Sequence, residues 1–252
     1  MSEVAKMIEE AQPNVDLRHQ YYARYASDIR EIFEHCGCDI DDSTEDAFCV
    51  LASTTEAVDH FIDNAKTAAI RDKYRDGVLK ILSDKQPVDI PAHIEGVVDR
   101  FRRTMEQRGC LPNVRRVIED MFSLQEEMRN TTNVDRYIDL SLEEGEGLGN
   151  LVLSVAHERT NPTIKRVAGL MTPVANLSDH LFDAQRDYEN GEISFEPNRH
   201  LYLRGLKIGV PKLIRLIATY PNKRKGLQFF VERVKNAWRT RKYAMSAVDR
   251  SS

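Results

Sequence analysis

Apolar residues recur at three- and four-residue spacing along nearly all of the 252 residues, and no stretch sustains the alternation that a strand needs. The expected class is therefore all-α. Proline, glycine and asparagine interrupt the pattern at Pro13, Gly37, Asp84 to Pro91, Gly109 to Pro112, Asn130 to Asn133, Asn161-Pro162, Gly191 to Pro197 and Tyr220 to Asn222. These breaks predict about eight to ten helices with short connections, the arrangement of a single bundle. Asp42-Ser43-Thr44-Glu45 before an apolar run and Asn161-Pro162 read as helix starts, and Gly191 reads as a stop. No repeat or shift in composition marks a second domain. One domain is expected over 1–252, with an N-terminal helix about 1–37, a core about 43–220 and a basic C-terminal helix about 222–246.

With 36 basic and 40 acidic residues the net charge is −4, so the overall balance gives no sign of a nucleic-acid partner. No run approaches the length of a membrane span, and the polar N-terminus lacks a signal-peptide core, so the expected compartment is cytoplasmic. The four cysteines do not form a disulfide framework. His35-Cys36-Gly37-Cys38 has no second ligand pair at zinc-finger spacing and reads as ordinary thiols at a helix end.

Two helices carry acidic stripes. Glu56, Asp59 and Asp63 follow at spacings of three and four, and Asp179, Asp183 and Asp187 follow at four, so each set shares a helix face at about 100° per residue. Like charges so spaced repel by a few tenths of a kcal/mol per pair, which a hard divalent cation would relieve. Magnesium takes one or two carboxylates, keeps waters and completes its shell with substrate phosphates. Opposed stripes could therefore clamp a diphosphate and make it a good leaving group. Either stripe alone also reads as the solvated side of an amphipathic helix, with Phe61, Ala57 and Val50 opposite the first and Leu177, Leu181 and Tyr188 opposite the second. Met171, Ala175 and Phe182 flank the second stripe, so that helix is not simply polar on one side.

The stretch Asp183-Ala184-Gln185-Arg186-Asp187-Tyr188-Glu189-Asn190-Gly191-Glu192-Ile193-Ser194-Phe195-Glu196-Pro197 resembles the second aspartate motif of squalene and phytoene synthases. With Leu177 and Asp179 included, it is also similar to the corresponding motif of the tetraprenyl-curcumene synthase group. Both belong to the class I isoprenoid (terpenoid) synthase superfamily. Asp59 to Asp63 is similar to the first aspartate-rich motif. Arg136-Tyr137-Ile138-Asp139-Leu140, followed by Gly145, Gly147 and Gly149, resembles the tyrosine-bearing, glycine-kinked helix of the same enzymes. The adjacent aspartate pair of the first motif and the second signature of chain-elongating prenyltransferases are both absent, so head-to-tail elongation is not implied.

The resemblance implies a helical bundle around a central cavity and a magnesium-dependent enzyme that ionises a prenyl diphosphate and couples or cyclises the carbocation. It implies metal binding by Asp59, Asp63, Asp179, Asp183 and Asp187. Tyr137 would orient diphosphate or stabilise cations through its ring face, and Arg186 would bind diphosphate unless it serves only as an i,i+3 partner of its neighbours. Lys66, Arg71, Arg159, Lys165 and Arg166 are further cations near the two motifs. The three glycines read as a helix break lining the cavity or as a plain loop. The basic, aromatic run Asn236 to Tyr243 reads as a solvated amphipathic helix, and contact with the active site, a membrane surface or nucleic acid are its other readings. A homodimer and a peripheral membrane contact stay open. The competing readings are a catalytically inactive helical protein of the same fold that binds lipid or a partner, and a scaffold whose acidic stripes are only surface.

Overall fold

The computed structural model describes residues 22–63, 65, 67–85, 89–226 and 228, and among these every regular element is helical. Helix α1 covers 22–35. It is followed by α2 (Asp42–Asp63), α3 (Ala68–Leu82), α4 (Ala92–Gln107), α5 (Leu111–Asn130), α6 (Val134–Ala156), a 3-10 turn (His157–Arg159), α7 (Pro162–Glu189) and α8 (Arg199–Thr219). The first half of the expected N-terminal helix, most of the expected C-terminal helix, Lys66 and the run Asn236 to Tyr243 lie outside the described residues.

Side-chain caps fix several of these starts. Asn161 accepts from the amides of Thr163 and Ile164, Asn133 from those of Asp135 and Arg136, and Asn198 from those of His200 and Leu201. Asp41, one residue before the expected start, accepts from Thr44 at 2.8 Å to open α2. Gly37, Gly109 and Gly191 all adopt positive φ at helix ends, where the lack of a Cβ removes the steric penalty.

Helix α6 is central and packs on α2, α5, α7 and α8. Its partner α7 approaches unusually closely. A Cβ on Gly145 would lie 2.5 Å from the Pro173 Cα, and one on Gly149 would lie 2.5 Å from the Thr172 hydroxyl oxygen. The glycine cluster is therefore neither a break nor a loop: α6 runs unbroken through it, and Gly145 and Gly149 are the flat surface on which α7 rests. One core, around Phe33, Phe48, Phe101 and Val155, joins α1, α2, α4 and α6. A second, around Tyr137, Leu177, Ala184 and Leu201, joins α6, α7 and α8. Each such side chain, fully buried, contributes roughly 1.5–3 kcal/mol. Cys36, Cys38 and Cys110 are buried free thiols, and burial pushes the Cys36 thiol up to about 11, so this stretch behaves as core.

Candidate active site

The C-terminal end of α2 carries Asp59 and Asp63; Asp63 is half-buried, while Asp59 is exposed like Glu56. Asp63 is ion-paired and hydrogen-bonded to Arg129 in the last turn of α5. By surface area Asp59 is exposed, although many protein atoms lie around its carboxyl. Burial, then the charges of Asp63 and Glu144, outweigh Arg129 and push its carboxyl up to about 7. Glu192, from the loop after α7, adds to the same effect.

Glu144, on α6, is 5% exposed and accepts three hydrogen bonds: from Gln125 on α5 at 2.9 Å, from Asn176 on α7 at 2.9 Å, and from His180 on α7 at 2.8 Å. Burial alone would raise Glu144, but His180, Asn176 and Gln125 prevail and hold it below the usual carboxylate range. Burial alone would lower His180, but Glu144, with Asp187 and Asp179, holds it above the usual histidine value. The two form a buried imidazolium–carboxylate pair. The other ring nitrogen of His180 lies 3.3 Å from the Tyr137 hydroxyl. Tyr137 is fully buried, with the rings of His180 and Phe195 edge-on to its own. Burial and the charges of Asp187 and Glu144 raise its pKa, so it is a neutral phenol. Protonated His180 donates to the Tyr137 oxygen, and the fully buried phenol presents no surface to solvent.

On α7, Arg186 bridges Asp183 and Asp187 at 3.2 Å each. Asp187 is 8% exposed; burial and Glu192 raise its carboxyl against the opposing pull of Arg186. Asp179 is exposed, and its charge raises His180. Both acidic stripes thus share one electrostatic field, because Glu144 and Glu192 act on Asp59 and on Tyr137, which also lies in the field of Asp183 and Asp187.

The loop after α7 folds back over this region. The Glu192 amide donates to the Asp187 carbonyl at 2.7 Å, Ile193 is buried, Ser194 bonds the Arg129 carbonyl, and Phe195 packs on Tyr137.

Beside Asp59 opens an apolar cavity of about 60 Å³. Its walls come from Thr54, Thr55 and Val58 of α2, Val78 and Leu82 of α3, Val98 and Phe101 of α4, Ile118, Met121 and Phe122 of α5, and Leu151 of α6. Asp59 and Gln125 also line it, and Gln125 is the residue that donates to Glu144. A hydrogen bond from Gln125 thus links the cavity wall to the buried Glu144.

Of the further cations, Arg159 pairs with Asp41 at 2.8 Å, and Lys165 and Arg166 are exposed in the first turns of α7, remote from its acidic half. A different arginine, one turn beyond Arg71, lies over Phe122, a residue of the cavity wall. Arg75 is 6% exposed, bonds Glu126 at 2.6 Å and sits 5.8 Å over the Phe122 ring, with its Nε and Nη2 buried and unpartnered.

Six carboxylates (Asp59, Asp63, Glu144, Asp183, Asp187, Glu192) and three cationic groups (Arg129, Arg186, His180) thus act on one another electrostatically through Asp59, Tyr137 and His180. That excess suits added positive charge. Among the described residues no three His, Cys, Asp or Glu side chains converge closely enough to hold a metal ion. No family model, no curated protein and no solved structure matches the chain.

Proposed function

We propose that the chain is a magnesium-dependent isoprenoid synthase of the class I type, which ionises a prenyl diphosphate and couples or cyclises the resulting carbocation. The observation that carries this reading is the apolar cavity lined in part by Asp59 and Gln125, with Gln125 hydrogen-bonded to Glu144, which in turn bonds His180 on the helix that carries the second stripe. The apolar walls match the chemistry of a hydrocarbon tail and the nearby carboxylates that of a metal-bound anionic head, and the 60 Å³ cavity must widen towards the roughly 300 Å³ of a ligand pocket to take the tail. Asp59 and Asp63 on one side, and Asp183 and Asp187 on the other, are the groups to hold magnesium, with Asp179 contributing charge from outside. Magnesium, when bound, neutralises the diphosphate and so improves it as a leaving group.

The chain's own groups have separate tasks. Arg186, already spanning two aspartates, is placed to turn to a diphosphate oxygen when metal takes over its partners. Tyr137, fully buried under Phe195, would offer its phenol hydrogen once the returning loop moves off it, with protonated His180 supplying the charge that orients it; the closed loop screens the reacting centre from water. Aromatic and apolar walls, Phe101 and Phe122 among them, stabilise a cation by their ring faces and hold no water to quench it.

Magnesium with pyrophosphate should raise the melting temperature of the wild type, since a ligand bound only by the folded state stabilises it. Asp183→Asn should lose most of that rise together with diphosphate release from farnesyl or geranylgeranyl diphosphate, because an amide is a poor ligand for a hard cation. Identical melting of both proteins with and without the ligands would make the stripes solvated faces and refute the proposal. A pyrophosphate-dependent rise without turnover would instead favour the inactive lipid-binding protein.

A further inference from the structure

We infer that the outer face of α8 docks on an anionic lipid bilayer. This goes beyond the proposed catalysis and does not depend on it. Helix α8 buries Leu201, Gly205 and Leu216 against its neighbours. On its other side Leu203, Leu206, Val210 and Ile214 are 47–62% exposed. At about 100° per residue these four fall within a sector of about 80°, opposite the buried face. Such a stripe of large aliphatic side chains costs free energy in water and marks a contact surface.

Charge says what the contact is. Helix α8 carries five Lys and Arg and no acidic residue. Arg204 is paired with Asp135 at 2.8 Å, and the other four have no ion pair among the described residues. No Asp or Glu occurs between Glu196 and Glu232, and residues 197–252 hold 14 basic and 2 acidic side chains, a net of +12. The preceding 196 residues hold 22 basic and 38 acidic, a net of −16, so the overall −4 hides a strongly polarised chain. A second copy of α8, or the basic segment 227–252, would meet this face with charge of the same sign. A nucleic acid would satisfy the cations but leave the aliphatic stripe in water. An anionic bilayer satisfies both, with the stripe among the acyl chains and Lys207 and Arg215 among the headgroups. No helix among the described residues is long and apolar enough to cross a membrane, so the contact is interfacial.

The full chain should sediment with phosphatidylcholine vesicles containing phosphatidylglycerol, not with phosphatidylcholine alone, and binding should weaken as salt rises. Leu206→Glu and Ile214→Glu, at exposed positions where the fold should tolerate them, should each weaken vesicle binding by about tenfold or more. Independently of those variants, Ile214→Trp should acquire fluorescence that bromolipid quenches beyond the background of the native Trp238. Failure of the wild type to bind, equal binding to both vesicles, unchanged affinity in both Glu variants, or an introduced indole that bromolipid leaves unquenched would each overturn the proposal. So would a vesicle-free dimer that Ile214→Glu dissociates, or oligonucleotide binding in place of vesicle binding.

Discussion

Replacing Glu144 by glutamine tests the electrostatic centre of the cleft without changing its shape. The wild-type carboxylate accepts from Gln125, Asn176 and His180. An amide of the same size keeps one accepting oxygen, and Gln125 can turn its own amide to accept from the new NH2 group. Removing one charge of a buried pair costs about 3–5 kcal/mol when the other stays charged. His180 can shed its proton instead, so the loss should settle near the roughly 1.5–3 kcal/mol of a charge-assisted hydrogen bond. In a chain of this size that lowers the melting temperature by about 3–12 °C. The loss should depend on pH. His180 is held above its ordinary value, so its share is fully present below about 6.5 and is lost as pH rises through its folded value. Glu144 is held below its ordinary value, so its share is present above about 4.3 and is lost as pH falls through its folded value. Scanning calorimetry of both proteins should therefore show the largest gap between about pH 4.3 and 6.5, narrowing in alkali. Imidazole resonances should show His180 titrating lower in the variant. An equal gap at every pH, with His180 titrating unchanged, would refute the assignment of an ion pair.

Gly145→Ala should destabilise by about 1–3 kcal/mol, read as a lower denaturant midpoint, because its methyl must displace the backbone at Pro173; Gly169→Ala, with open space around it, should not. Asp59→Asn should stabilise the metal-free protein by on the order of 1 kcal/mol near pH 8, after allowance for solvent screening, and by nothing near pH 4. The direction follows from a carboxyl raised to about 7, whose charged form is penalised in the folded state as pH climbs; a gain that is the same at both pH values would contradict it. Val78→Phe, which fills the cavity, should leave the melting rise with magnesium and pyrophosphate intact but remove the extra rise given by a prenyl diphosphate analogue. Loss of both rises would show that the tail does not occupy this space.

The helices and most of their ends were legible in the sequence because local chemistry decides them: Asn161 caps and Gly191 stops whatever lies beyond. The cleft was legible only in part, and the second stripe shows why. Aspartates spaced by four drift about 40° per step on a helix of 3.6 residues per turn, so Asp179, Asp183 and Asp187 cannot all look the same way. Asp179 is exposed, Asp183 half-buried and Asp187 buried, and the line that faces Glu144 and Tyr137 is instead Asn176, His180, Asp183 and Asp187, spaced four, three and four. That heptad-like spacing was available in the sequence, but it mixes an amide, an imidazole and two carboxylates, so a search for like residues passes over it. Glu144 carried a fainter signal. It lies three and seven residues after Ser141 and Tyr137, all buried on one face of α6, and a glutamate in such a stripe needs partners. Its partners come from α5 and α7, and nothing local to α6 could name them. The glycines of α6 show the same limit from the other side: clustering marks Gly145 and Gly149 as positions where a side chain does not fit, but only Thr172 and Pro173, more than twenty residues away, supply the reason. Capping and stopping were readable because cause and effect lie within one turn. Burial of charge was not, because a carboxylate becomes a site only when a second helix removes its water.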